Sequence, residues 1–177
     1  MKIILTNDDG IDAPGLDALE NCFQDGVQLV IVAPAQPQSG VGHQVTTRSP
    51  IRVNQIEPNR FSVEGTPADC SRIALKQISP ESHWLVSGIN AGANLGSDVY
   101  NSGTVSAARE AAILGCRSIA ISQYIGKGQQ VNWDTTAYHA TAALKMLMER
   151  DIAPSHFWNI NLPHPPDKLS EIPVGFC

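Results

Sequence analysis

Apolar runs of strand length recur along this chain with helix-like segments between them, and that alternation restricts the fold more than any other feature. KIILT gives way to GLDALENCF and then to VQLVIVA. Runs apolar at successive positions belong to strands buried on both faces, the situation in a parallel sheet covered by helices. The pattern resumes with a helix from about 67 to 78, the strand WLVSG, a helix from about 105 to 114, the strand SIAIS, a helix from about 134 to 150 and the strand FWNINL. The expected fold is therefore α/β, with five parallel strands and helices on both faces. Between Pro34 and Val63 the pattern breaks. There HQVTTRSPIRVNQI and RFSV read as short antiparallel strands outside the main sheet, an insertion within one domain spanning 1–177.

In such sheets ligands bind beyond the carboxyl ends of the strands, so the strand-end loops are the place to look for chemistry. The first strand ends in Asn7, Asp8, Asp9 and Gly10, with no lysine or arginine nearby in sequence. Two carboxylates ~4 Å apart repel by about 4 kcal/mol at an effective dielectric near 20. The next helix, starting near Pro14, offers only about 0.3–2 kcal/mol through its dipole. Either one aspartate is protonated or points into water, or a cation sits between them. A plain polar turn, with Asp9 or Asp12 capping the helix, is the competing explanation. Ser39, in the loop after the second strand, and Asn90, at the end of WLVSGIN, open on the same edge. Two carboxylates, a hydroxyl and an amide oxygen are hard donors suited to Mg²⁺ or Mn²⁺.

The densest polar stretch, SGINAGANLGSDVYNSGTVSAARE, leads through Ser102, Gly103 and Thr104 into an alanine-rich helix. Exposed backbone N–H groups and hydroxyls at such a start form an anion site, which together with a cation would bracket a phosphate. Simple N-capping would explain one of these side chains but not the density of asparagine and glycine before them. The spacing is not GxGxxG, and acids occupy the first βα turn, which excludes a dinucleotide site.

Composition narrows the partners. A net charge of −5, from 12 basic and 17 acidic residues, lacks the clustered positive surface that grips a nucleic-acid polymer. Cys22, Cys70, Cys116 and Cys177 form no CxxC pair and read as reduced, mostly buried thiols. The chain enters its first strand without a basic leader or a membrane-length apolar run, so the cytoplasm is the expected location.

LTNDDGIDAPG, the SG at Ser39 and Gly40, EGTPADC, VSGINAGANLG, SGTVSAARE and NINLP occur in this order between Met1 and about Pro163. As a set they resemble the SurE family of survival-protein phosphatases, which act as 5'- and 3'-nucleotidases. The resemblance implies a Rossmann-like three-layer sandwich, one divalent cation (Mg or Mn) per subunit, and hydrolysis of nucleoside monophosphates. Matched position by position, it implies metal ligands at Asp8, Asp9, Ser39 and Asn90, with Asp8 nearest the reaction. Asn94, Ser102, Gly103 and Thr104 become the phosphate contacts. Asn101 stands where the family commonly has a bulkier residue before SGTV. Family members usually continue past the last strand into a segment that completes a homodimer or homotetramer, and this chain stops at Cys177.

Rival readings are weaker. A signalling receiver domain needs an aspartate after its third main-sheet strand and a lysine after its fifth, where this chain has Asn90 and NINLP. A haloacid-dehalogenase-type phosphatase separates its two aspartates by one residue. A catalytically impaired nucleotide-binding homologue would differ only in an assay. The histidines lack HxxxH or HExxH spacing; His43 reads as a solvated loop residue, Trp133, Trp158 and Phe157 as packing, and Arg109 with Glu110 as surface pairs on their helix.

Overall fold

Successive residues of β1 (Lys2–Thr6) point to opposite faces of the sheet, and each face feeds its own core. Ile3 and Leu5 pack with Leu16 and Leu19 of α1 (Pro14–Glu20) and with Ala140 and Leu144 of α5 (Trp133–Met148). Ile4 turns the other way, to Cys70 and Ile73 of α2 (Pro67–Ile73) and Ala111 of α4 (Gly103–Ile113). Ile3, Ile4 and Leu5 are all 0% exposed, and each such side chain contributes about 1.5–3 kcal/mol by leaving water. The result is three layers: α1 and α5, the sheet, then α2 and α4. The structure of the protein, a computed structural model, describes residues 1–23, 26–164 and 172–177.

The sheet has seven strands in the order β3-β4-β2-β1-β5-β6-β7. β2 (Gln28–Pro34) and β5 (Trp84–Ala91) flank β1 in parallel, and β6 (Arg117–Gln123) and β7 (Trp158–Leu162) continue in the same direction. The five expected parallel strands are present. The expectation that RFSV lies outside the main sheet is overturned: β4 (Arg60–Val63) pairs in parallel with β2, matching Val32 with Phe61. Only β3 (Val53–Glu57) is antiparallel, and it forms an exposed edge. The physical reason is that β2 would otherwise bury an unpaired row of main-chain donors and acceptors.

Helix α2 runs on as a π-helical turn over Ala74–Ile78, completing the expected helix, and a single turn, α3 (Asp98–Asn101), precedes α4. Of the proline-rich tail, residues 165–171 lie outside the described residues and 172–177 have no regular structure. Cys22 and Cys70 are buried, Cys116 is intermediate and Cys177 is exposed; all four are free. Among the described residues no helix is long and apolar enough to cross a membrane.

The chain leaves β1 toward β2 on one side, and later strands fill the other side from β5 outward. The order therefore reverses at β1, and the crevice beyond the carboxyl ends of β1, β2 and β5 is the topological switch point where α/β sheets take their ligands.

Candidate active site

The turn after β1 is closed by Asn7, to which the sequence alone assigns no role. Its Nδ2 donates to the Gly10 carbonyl at 2.8 Å, and its Oδ1 accepts from the Gly10 amide at 3.2 Å. Ile11 N–H then bonds the Pro34 carbonyl at 2.9 Å, pinning the turn to the end of β2. The N-cap of α1 is Ala13, with no side-chain cap. Neither Asp9 nor Asp12 caps the helix, so the capping explanation for the doublet falls away.

Asp8 is 5% exposed and faces α4. The Thr104 hydroxyl donates to Asp8 Oδ1, joining residues 96 positions apart. Gly103 makes that approach possible, since a Cβ there would stand 2.6 Å from Asp8 Cβ and 2.8 Å from Asp8 Oδ2. Burial pushes the Asp8 carboxyl up to about 6; the Thr104 hydroxyl pulls it down and the adjacent Asp9 charge pushes it further up. Burial raises Asp9 as well. Among the described residues no ion pair includes either aspartate. Asp8 does not point into water, and the repulsion expected from the sequence is present without a protein cation to relieve it.

Ser39 is exposed, in a loop held at both sides of it. Gln38 N–H bonds the Asp8 carbonyl at 2.7 Å, and Gly42 N–H bonds the Asn101 carbonyl at 3.0 Å just before α4. Asn90 stands near the end of β5, beyond a bulge that shifts the register with β6 between Ser87 and Asn90. Bulges of this kind re-aim side chains beside functional sites. Asn90 Nδ2 donates to the Gly92 carbonyl at 2.6 Å, which leaves the amide oxygen with acceptor capacity to spare. Ser102 caps α4, its Oγ accepting from Val105 N–H at 3.1 Å. The amides of Gly103 and Thr104 lie in the first turn, where helices bind anions.

Asn94, expected as a phosphate contact, is also anchored within the protein. Its Nδ2 donates to Ser122 Oγ at 2.8 Å, its backbone N–H to Asn161 Oδ1 at 2.7 Å, and its carbonyl accepts from Asn159 and Asn161 at 3.0 and 3.1 Å. It ties the glycine-rich loop to the ends of β6 and β7. Ser122, Asn159 and Asn161 were missed as supporting residues; two asparagines alternating in NINLP were the available signal. Two further expectations are corrected. Glu110 is 6% exposed and pairs with His43 Nε2 at 2.7 Å and Arg72 Nη1 at 3.6 Å, while Arg109 Nη2 donates to the Val99 carbonyl at 2.8 Å. Neither makes a surface pair within its helix, because the partners of both lie on other segments of the chain. His43 is accordingly a partnered residue that fastens the Ser39 loop to α4, not a solvated one.

The donors at the doublet are all hard oxygens, and no cluster of three or more His, Cys, Asp or Glu that could hold a metal occurs among the described residues. Two carboxylates with neutral oxygens suit Mg²⁺ or Mn²⁺, which keep several waters and take substrate oxygens as ligands. The residues present fit such an ion.

A profile of the family described as survival protein SurE matches residues 3–175. The chain belongs to the SurE family. A Synechocystis protein is 50% identical over 177 residues, covering 100% of this chain and 78% of its own length. The 5'-nucleotidase SurE of Geotalea daltonii is 42% identical over 175 residues, covering 98% of this chain and 70% of its own. The crystal structure of the SurE protein from Aquifex aeolicus superposes with a TM-score of 0.86 at 34% identity, over 95% of this chain and 68% of that one. The SurE fold is therefore shared over 95% of this chain.

Proposed function

We propose that the protein is a divalent-metal-dependent phosphomonoesterase that hydrolyses nucleoside 5'-monophosphates, and their 3' isomers, to nucleoside and phosphate. The observation that carries this reading is the buried Asp8 carboxyl, held by Thr104 at the start of α4 and next to Asp9, with no cationic side chain among the described residues paired to either. The relatives named 5'-nucleotidase SurE, one of them 42% identical, support the substrate class.

Asp8, Asp9, Ser39 and Asn90 would hold Mg²⁺ or Mn²⁺, which supplies charge neutralisation at the doublet and polarisation of the phosphoryl oxygens. The chain's own residues do the rest. The Gly103 amide and the Ser102 hydroxyl, whose oxygen accepts from Val105 N–H, receive the phosphoryl oxygens and stabilise the charge that builds on them during in-line displacement. The Thr104 hydroxyl fixes the Asp8 rotamer. Asp8, once ionised, orients the water that attacks phosphorus as the bond to the nucleoside oxygen breaks, and that oxygen takes the proton the water gives up. Asn94 holds the glycine-rich loop so that Asn90 keeps its place.

The test is phosphate release from a panel of 5'- and 3'-nucleoside monophosphates after chelation and then with Mn²⁺ or Mg²⁺ restored. Turnover should vanish with chelator and return with the ion. Turnover unaffected by chelation, or none under any condition, would reject the reading.

A further inference from the structure

Asp9 borders a cavity of about 440 Å³ to which the hydrolytic mechanism assigns no other residue. Cavities of ~300–1,000 Å³ with mixed apolar and polar walls are the usual size for small organic ligands. Pro37, Ala91 and Trp133 give this one its apolar wall, and Asp9, Asp12 and Gln36 give it hydrogen-bond acceptors. Among the described residues no lysine or arginine lines it, so it suits the uncharged end of a substrate whose phosphate lies elsewhere. A cavity of similar size on the far side of Trp133, between α1 and α5, does not reach the acidic pair.

The two aspartates divide the crevice. Asp8 faces the first turn of α4, and its neighbour Asp9 opens onto the cavity beside α1 and α5. The first turn of α4 and this cavity therefore meet at the acidic doublet, one aspartate bordering each. Trp133 is set firmly beside it. A Cβ on Gly15 would stand 3.0 Å from Trp133 Cη2 and 2.1 Å from the Ile89 carbonyl oxygen, so the bare glycine lets the indole lie against the start of α1. Trp133 also packs against the core, which restricts its motion and prepares it as a platform. Base-on-aromatic stacking is sequence-tolerant, because every base has a π-face.

We propose that this cavity is the nucleoside subsite, with the base stacked on Trp133 and the ribose hydroxyls donating toward Asp12. The proposal rests on the phosphomonoesterase reading and adds the residues that distinguish a nucleotide from any other phosphate ester. Trp133→Ala should raise KM for adenosine 5'-monophosphate about tenfold and leave both constants for glycerol 2-phosphate, which has no base, within about twofold. Trp133→Phe should keep most of the nucleotide affinity. Equal losses on both substrates would overturn the assignment.

A second measurement needs no turnover. Adenosine titrated into the Mn²⁺-loaded protein should quench tryptophan emission, and Trp133→Phe should abolish the quench while Trp84 and Trp158 still emit. No quench in the wild type, or a quench that survives in the variant, rejects the subsite. If neither phosphate ester is hydrolysed, the enzymatic reading fails, and the fluorescence result still decides whether the cavity binds a nucleoside.

Discussion

Asp69 at the start of α2 and Asp8 at the end of β1 are both almost fully buried, at 1% and 5% exposure, yet their surroundings differ. Asp69 receives Thr46 N–H at 2.8 Å, the Thr46 hydroxyl at 2.7 Å and Thr66 N–H at 3.1 Å, and it closes the capping box that starts α2. Asp8 receives the Thr104 hydroxyl, with weaker help from the Thr104 and Asp8 backbone amides, and has a second acid beside it. Asp69 is saturated and belongs to the scaffold, whereas Asp8 is left short of positive partners. A buried carboxylate in the second condition is costly unless it serves something absent from the polypeptide.

Exchanging the two aspartates in experiment gives the largest contrast. Asp8→Asn should lower metal-dependent phosphate release by ~10³-fold or more while leaving urea unfolding of the metal-free protein unchanged or shifted toward greater stability. Asp69→Ala should instead lower stability by about 3 kcal/mol, read by urea unfolding, because it strands one buried and two part-buried donors. Similar effects of the two changes on stability would break the comparison.

Gly103→Ala tests the contact that sets Asp8 in place. The added methyl meets Asp8 Cβ, and an ~1 Å displacement of a reacting group costs about 100-fold, so kcat should fall by that factor while overpacking lowers stability by about 1–3 kcal/mol.

The pH dependence follows from the proton that Asp8 keeps. Its carboxyl rises from 3.8 to about 6 on folding, so the folded state binds the proton more tightly. This group's favourable term is complete below about pH 4 and is lost as pH rises toward 6, about 3 kcal/mol in all. Metal-free wild type should therefore lose stability across that window relative to Asp8→Asn, and saturating Mn²⁺ should remove the difference. Parallel pH profiles without metal would contradict the stated cause.

The smallest effect is expected at the fastening of the Ser39 loop. Glu110→Gln weakens its charge-assisted bond to His43 Nε2 and should raise the Mn²⁺ concentration for half-maximal activity about threefold, with kcat at saturating metal unchanged.

The parallel strands and the helices between them were legible because burial on both faces leaves apolar residues at successive positions. The acidic doublet, Ser39 and Asn90 were legible as strand-end residues by the same rule. Asn7, Ser122, Asn159 and Asn161 were not, since an asparagine that closes a turn and one that binds a ligand look alike in sequence. Glu110 was misread because its partners lie at positions 43 and 72, and helix spacing describes only contacts within the helix.

By itself the sequence determined the alternation of buried strands and helices, hence a mainly parallel sheet, and it put two carboxylates where the first strand surfaces. These are local properties, carried by periodicity and by residues adjacent in the chain. The tertiary structure alone decided that β4 joins the main sheet, that Thr104 and Gly103 close on Asp8 across 96 and 95 positions, and that Trp133 stands beside Asp9. Such contacts depend on strand order and on which helix covers which face, and both are settled by the packing of the whole chain.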